Sequence, residues 1–419
     1  MSDPVPARPG DTSRPGDTPG STQWLTAETQ RLLAFAEGSW DPLGGFGRQD
    51  DHGVRAPGAS AELWITGRMT HVYALGSMIG YPAGPELLQH GLTALGTRLR
   101  DTDHGGWFPE VNSSGPVRTD KECYQHAFVV LAAASAMIAG HPRAPELLDY
   151  ALKVIDRWFW SDEFGMLVES WDATFTDLEP YRGVNANMHG VEALLAAYDA
   201  TGAEVWRDRA LRITGRVVRD LAESRDWRIP EHFDADWNPL LDFNRDRPDD
   251  PFRPFGSTVG HGLEWARLCL HLSSALGPGA PAWLTDAARG LFDRAVGDGW
   301  AVDGADGFVY TVDWDGEPVV HQRMHWVLAE AIAAATALAQ ATGDESYSRW
   351  ASTWWEYAQR YLLDRDLGSW HHELDRANRP AATVWPGKAD AYHAVQATLL
   401  PRIPLRPSVA GGLRAALGR

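Results

Sequence analysis

Cysteine is almost absent: two residues in 419, Cys123 and Cys269. Two thiols in separate helical patterns cannot form a disulfide framework, and a reducing compartment suits them. Long apolar runs are missing as well. None approaches the roughly 20 residues needed to span a bilayer. Excess basic charge is missing too, with 38 Lys and Arg against 56 Asp and Glu and a formal net charge of −18. A chain so acidic repels a phosphate backbone and an anionic lipid surface, which excludes nucleic acid and membrane as expected partners.

What is there begins with a repeat. Arg8-Pro9-Gly10-Asp11-Thr12 recurs as Arg14-Pro15-Gly16-Asp17-Thr18 in a stretch nearly free of large apolar residues. Such a segment cannot bury enough surface to offset its ordering entropy, so residues 1–22 are expected to be a disordered tail. They also lack the apolar core of a signal peptide, and a cytoplasmic location is expected.

Helical periodicity and stop signals then predict twelve helices, near 24–38, 60–80, 84–100, 119–140, 144–160, 185–201, 204–223, 257–276, 281–297, 319–341, 344–363 and 388–400. Each odd helix follows its even predecessor after a short link such as Gly140-His141-Pro142. Each even helix follows a long connection. Short links imply antiparallel neighbours, and regular alternation implies an all-α fold, an (α/α)6 barrel spanning 23–408 with a C-terminal tail at 409–419. The long connections should gather at one end. Gly307–Trp314 followed by Asp315-Gly316 reads as a β-hairpin there, and Gly368–Leu374 as another candidate strand. Seven tryptophans, Trp107, Trp171, Trp227, Trp237, Trp314, Trp370 and Trp385, fall in or beside these segments. They either pack the loops onto the barrel or form an aromatic rim that would suit a sugar.

The even helices carry ionisable residues that an inner helix would bury at a cost of several kcal/mol unless paired. Arg68 and His71 share one face of the second helix. Lys121, Glu122, Tyr124 and His126 open the fourth, and Asn185, His189 and Glu192 the sixth. His261 and Glu264 open the eighth, His325 and Glu330 mark the tenth, and Lys388, Asp390, Tyr392 and His393 the twelfth. The spacing of His261 and Glu264 leaves open whether the carboxylate orients the imidazole or the pair is structural. A metal is not expected, since there is no Cys-x-x-Cys pair and the histidines are dispersed. Paired carboxylates for glycoside hydrolysis remain open at Glu231, Asp234 and Asp236. The emphasis on histidine favours proton transfer beside a carbonyl, because imidazole titrates near neutral pH.

Several segments carry a resemblance: Arg68-Met69-Thr70-His71-Val72-Tyr73, Gly105-Gly106-Trp107, Asn185-Ala186-Asn187-Met188-His189, Glu231-His232-Phe233-Asp234, Gly260-His261-Gly262-Leu263-Glu264-Trp265 and Trp385 through His393. Together they resemble the N-acylglucosamine 2-epimerase superfamily, and within it the aldose–ketose isomerase branch. The resemblance implies an (α/α)6 barrel with no metal or redox cofactor, acting on a small monosaccharide. It implies His261 and His393 as catalytic, with Glu264 orienting His261. It implies Arg68, Tyr124, Asn185, His189 and Arg253 at the sugar, with Trp314 and Trp385 added from the aromatic rim. His393 would move a proton between C2 and C1 of a cis-enediol while His261 opens the ring, although the two roles could be exchanged. Sulfonate-processing members carry glutamines at the positions of His372 and Ala389 and an arginine at that of His325. A neutral hexose, D-mannose going to D-fructose, is therefore the expected substrate, with D-lyxose as a side substrate. Sulfoquinovose isomerisation and 2-epimerisation are the alternatives. Nothing in the sequence points to an oligomeric state.

Overall fold

The computed structural model describes residues 18–418. The expected tail lies mostly outside these residues. Its boundary is earlier than expected, because the Ser21 side chain already caps the first helix by accepting from Trp24 N (3.3 Å).

Twelve helices form the expected double ring. The outer ring is α1 (Thr22–Ala36), α3 (Gly84–Gly96), α5 (Ala144–Val154), α7 (Glu204–Thr214), α9 (Trp283–Gly299) and α11 (Glu345–Tyr357). The inner ring is α2 (Leu63–Met78), α4 (Cys123–Ile138), α6 (Val184–Thr201), α8 (Val259–Leu276), α10 (His325–Thr342) and α12 (Tyr392–Leu399). Each inner helix packs on the next, α12 closes the circle on α2, and α1 pairs with α12. Burial separates the two rings. In α2 every residue but Ser77 is buried, whereas α3 buries only one stripe, led by Leu87, Leu88, Leu92 and Leu95. Both cysteines are buried free thiols on inner helices.

The long connections do more than link. Ala61–Glu62, Lys121–Glu122, Arg182–Gly183, Ser257–Thr258 and Arg323–Met324 are two-residue strands leading directly into α2, α4, α6, α8 and α10. Each pairs antiparallel with a strand from the following long connection. No side chain caps these five helices. Loop carbonyls take that place: Leu63 N donates to Pro109 O (2.9 Å), Cys123 N to Glu169 O (2.9 Å), Val184 N to Glu231 O (3.1 Å), Val259 N to Tyr310 O (3.1 Å) and His325 N to His372 O (3.0 Å). The inner helices are thereby pinned, and their electropositive ends converge on one mouth. The hairpin after Gly307 is present, pairing Thr311–Val312 with Pro318–Val320. Glu373–Leu374 is also a strand, but its partner is Arg323–Met324.

The C-terminal residues are not a tail. Val409–Ala416 form a thirteenth helix, α13, packed on α2, α4 and α6 at the end away from the mouth. Ser408 caps it and donates to Asp199 at the foot of α6 (2.6 Å). Gly411 and Gly412 look unsuited to a helix, but a Cβ on Gly412 would lie 2.8 Å from Ile403 Cδ1. The helix therefore plugs the barrel floor with Val409 and Leu413 inward. Removing residues 408–419 is expected to cost at least about 3 kcal/mol, from two buried aliphatic side chains. Urea unfolding at equal protein concentration measures it, and an unchanged midpoint would restore the tail reading.

Candidate active site

A cavity of about 690 Å³, counted with its open mouth, sits where the inner helices begin. His261 lies in the first turn of α8 and His393 in that of α12, and both line it. Between them stands Trp326, its ring 5.4 Å from His261 and 5.6 Å from His393 by centroids. Gly260 makes that placement possible, since a Cβ there would collide with the Trp326 ring.

Each imidazole is held through Nδ1 by its own buried carboxylate. His393 Nδ1 pairs with Glu330 Oε1 at 2.8 Å. His261 Nδ1 pairs with both oxygens of Glu231, at 3.0 and 2.9 Å. This corrects the expectation that Glu264 orients His261. Glu264 shares its helix face, but the carboxylate in contact comes from the long connection before α8, one residue ahead of the strand His232–Phe233. In a neutral imidazole, an Nδ1–H donated to a carboxylate would leave Nε2 without a proton.

Burial pushes the pKa of His393 below its ordinary value, with Glu330 opposing. Burial also tends to raise the Glu330 carboxyl, but Arg267 and His393 hold it below the usual range. Glu264 lines the cavity floor. Burial, reinforced by neighbouring Glu330, pushes its carboxyl well up. His189, 3.7 Å from Glu264 and 3.9 Å from Glu192, is pushed down to about 3 by burial.

Arg68 both lines the cavity and holds a loop carboxylate. It donates to Asp390 Oδ2 (3.1 Å) and Tyr124 Oη (2.9 Å). Its guanidinium lies 4.5 Å from the Phe128 ring centroid and 4.8 Å from that of Tyr392. Burial raises the Tyr124 phenol to about 12, so it is a neutral donor. Asn185 and Trp385 reach the same cavity.

Two expected residues do not reach it. Trp314 sits half-buried on the hairpin turn and donates to Leu241 O (2.9 Å). Arg253 lines an adjoining cleft, stacked 3.9 Å over Tyr181 and paired with Glu179 at 2.8 Å. Of the seven tryptophans named above, Trp107 and Trp370 are wholly buried packing residues and Trp385 alone lines the cavity. Lys121 and Lys388 also have structural partners, bonding Asp101 (2.7 Å) and Asp364 (2.6 Å) to anchor loops. His71 is deep in the barrel, bonded to Ser135.

Sequence reasoning missed Glu231 as a partner, Trp64 and Trp326 as walls, and the pair His325–His372. Those two rings stack at 3.8 Å and 17°. Burial drives His372 down to about 4, and burial with the adjacent imidazoles drives His325 well down, so both are neutral. His321 stands four residues before His325, but it bonds Asp303 (2.8 Å) outside the cavity, so the two do not converge. At the cavity floor, donor atoms of His189, Glu192 and Glu264, and separately those of Glu264, Glu330 and His393, lie close enough to hold a cation. The cation among them is Arg267, 2.8 Å from Glu330.

The N-acylglucosamine 2-epimerase (GlcNAc 2-epimerase) family model matches residues 44–397. The chain belongs to the N-acylglucosamine 2-epimerase family. Within this family it is 54% identical over 392 residues to a D-mannose isomerase of Thermobifida fusca, covering 93% of this chain and 96% of that one. It is 48% identical over 399 residues to a D-mannose isomerase of Pseudomonas cannabina pv. alisalensis, covering 94% and 96%. A solved D-mannose isomerase superposes with a TM-score of 0.86 at 29% identity, over 93% of this chain and 99% of that one. The cellobiose 2-epimerase of Spirochaeta thermophila DSM 6192 shares the barrel, with a TM-score of 0.79 at 21% identity over 91% and 95%. No helix among the described residues is long and apolar enough to cross a membrane.

Proposed function

We propose that the chain, an aldose–ketose isomerase, interconverts D-mannose and D-fructose by moving a proton between C2 and C1. The observation that carries this is the pair of histidines, each tied at Nδ1 to a buried carboxylate and facing one cavity across Trp326. In the open-chain aldose, the C1 carbonyl acidifies the C2 proton. His393 Nε2 takes that proton, and the C2–H electron pair becomes the C1–C2 double bond of an enediolate. Return of the proton to C1 with transfer of the O2 proton to O1 gives the ketose. C1 is reduced as C2 is oxidised, so the reaction needs no external oxidant or reductant. His261 opens the ring and moves protons at oxygen, while Arg68 and the converging helix N-termini stabilise the developing oxyanion. The neutrality of His393 at physiological pH supports its assignment as base.

Substrate follows from charge. A sulfonated hexose needs an uncommitted cation, whereas Arg68 is paired with Asp390 and the His325–His372 wall is neutral. A neutral hexose fits, and D-lyxose, with the same configuration around C2–C4, would go to D-xylulose.

Proton NMR of D-mannose with the protein in D2O, chelator present, tests this directly. Fructose should appear, with some C2 proton recovered at C1. Glucose formed without fructose would make the protein a 2-epimerase. Turnover of sulfoquinovose alone would overturn the neutral-hexose assignment.

A further inference from the structure

Beneath the cavity floor, outside its lining, lies a guanidinium that touches three glutamates from three inner helices. Arg267, on α8 and 1% exposed, donates from Nε to Glu330 Oε2 (2.8 Å). Its Nη2 is 3.4 Å from Glu264 Oε1 and its Nη1 3.6 Å from Glu192 Oε1. It does not line the cavity. Both oxygens of Glu330 are therefore committed, Oε2 to Arg267 and Oε1 to His393 Nδ1.

We propose that Arg267 is the positioning residue of the base: it keeps Glu330 an ionised acceptor, so the proton on His393 stays at Nδ1 and Nε2 remains free for the sugar. This rests on the reading of His393 as the base. A carboxylate can only accept, so an ionised Glu330 dictates the Nδ1–H tautomer. A protonated Glu330 could instead donate to Nδ1. The imidazole would then carry its proton on Nε2, facing the sugar as a donor with no lone pair to take the C2 proton.

Three buried carboxylates around one guanidinium cannot all be ionised cheaply. Glu264 absorbs the excess by staying protonated, while Glu192 and Glu330 are held low against the pull of burial. With the guanidinium gone, a second proton should enter the cluster, and Glu330, which loses the cation at 2.8 Å from Oε2, is where the proposal places it. The other groups facing His393 do not replace that charge. Arg68 is committed to Asp390 and Tyr124, and His189, His325 and His372 are neutral.

The test is ¹⁵N NMR of the imidazoles in the full chain, with His393 assigned by difference against His393→Asn. Wild type should show the Nδ1–H tautomer, and Nε2–H in wild type would overturn the proposal outright. In Arg267→Met, or Arg267→Gln if the first does not fold, the tautomer should switch to Nε2–H at neutral pH. Turnover of D-mannose should fall about 10²-fold with little change in KM, and the acid limb of kcat should move up by about 1–2 pH units. Arg267→Lys, which keeps the charge, should hold the Nδ1–H tautomer and stay within about tenfold of wild type, on the same scale of effects. A drop in kcat with tautomer and acid limb unchanged would mean that Arg267 only braces the barrel. The tautomer is read without substrate, so an inert D-mannose would refute the functional reading and leave this measurement decisive.

Discussion

His393→Asn is expected to lower kcat for D-mannose isomerisation by about 10³-fold, the middle of the range for removing a general base. That corresponds to about 4 kcal/mol of transition-state stabilisation. Asparagine fills much of the imidazole volume and can still bond Glu330, so the fold should survive. Because His393 Nε2 is the nitrogen that takes the C2 proton in the proposed reaction, solvent exchange at C2 should vanish along with fructose formation. His261→Asn should also depress turnover, but through ring opening and oxygen protonation. Its effect should therefore be smaller on a substrate analogue fixed in the open-chain form. Progress curves for both variants with far-UV circular dichroism as a fold control would check this. Normal turnover by His393→Asn would remove that residue from the chemistry.

The second large effect concerns acid. Burial holds five histidines neutral far below their ordinary 6.5: His71, His271 and His372 at about 4, and His126 and His189 at about 3. Above pH 6.5 folded and unfolded chains are alike at these groups, and nothing is lost. As pH falls from 6.5 towards 4, the unfolded chain binds protons that the folded chain refuses, and stability drops. The slope is about 1.4 kcal/mol per pH unit for each group. With several groups acting together, a domain whose whole stability is about 5–15 kcal/mol should unfold near pH 5. Urea midpoints measured at pH 7.5, 6.5, 5.5 and 5.0 should stay level between the first two and then fall steeply. A midpoint unchanged down to pH 5 would sink this account and with it the burial of those imidazoles.

Much of the barrel was legible because helix formation is local. A 3.6-residue apolar period, a short link and a long link are all written in adjacent residues, and they suffice for the helix count, the pairing and the end at which polar groups gather. Boundaries were less legible. The twelfth helix begins at Tyr392 rather than near 388, because Lys388 and Asp390 serve Asp364 and Arg68 in the loop before it. Residues 409–419 were expected to be a tail, and the close packing of Gly412 on Ile403 and of Gly411 on Asp199 accompanies the helix that forms there.

The sequence by itself, through the family resemblance its motifs carry, pointed to Arg68, Tyr124, Asn185, His189, His261 and His393, and all six line the cavity. Spacing along one helix says only which residues share a face. Tertiary structure alone decided which partner each acquires. Glu231 rather than Glu264 meets His261, Trp326 stands between the two imidazoles, and Arg267 gathers glutamates from α6, α8 and α10. Apart from Arg267–Glu264, three positions apart on one helix, these contacts join residues 30 to 75 positions apart along the chain. They exist only once the loops have pinned the helix ends and the ring has closed, and no local periodicity encodes that geometry.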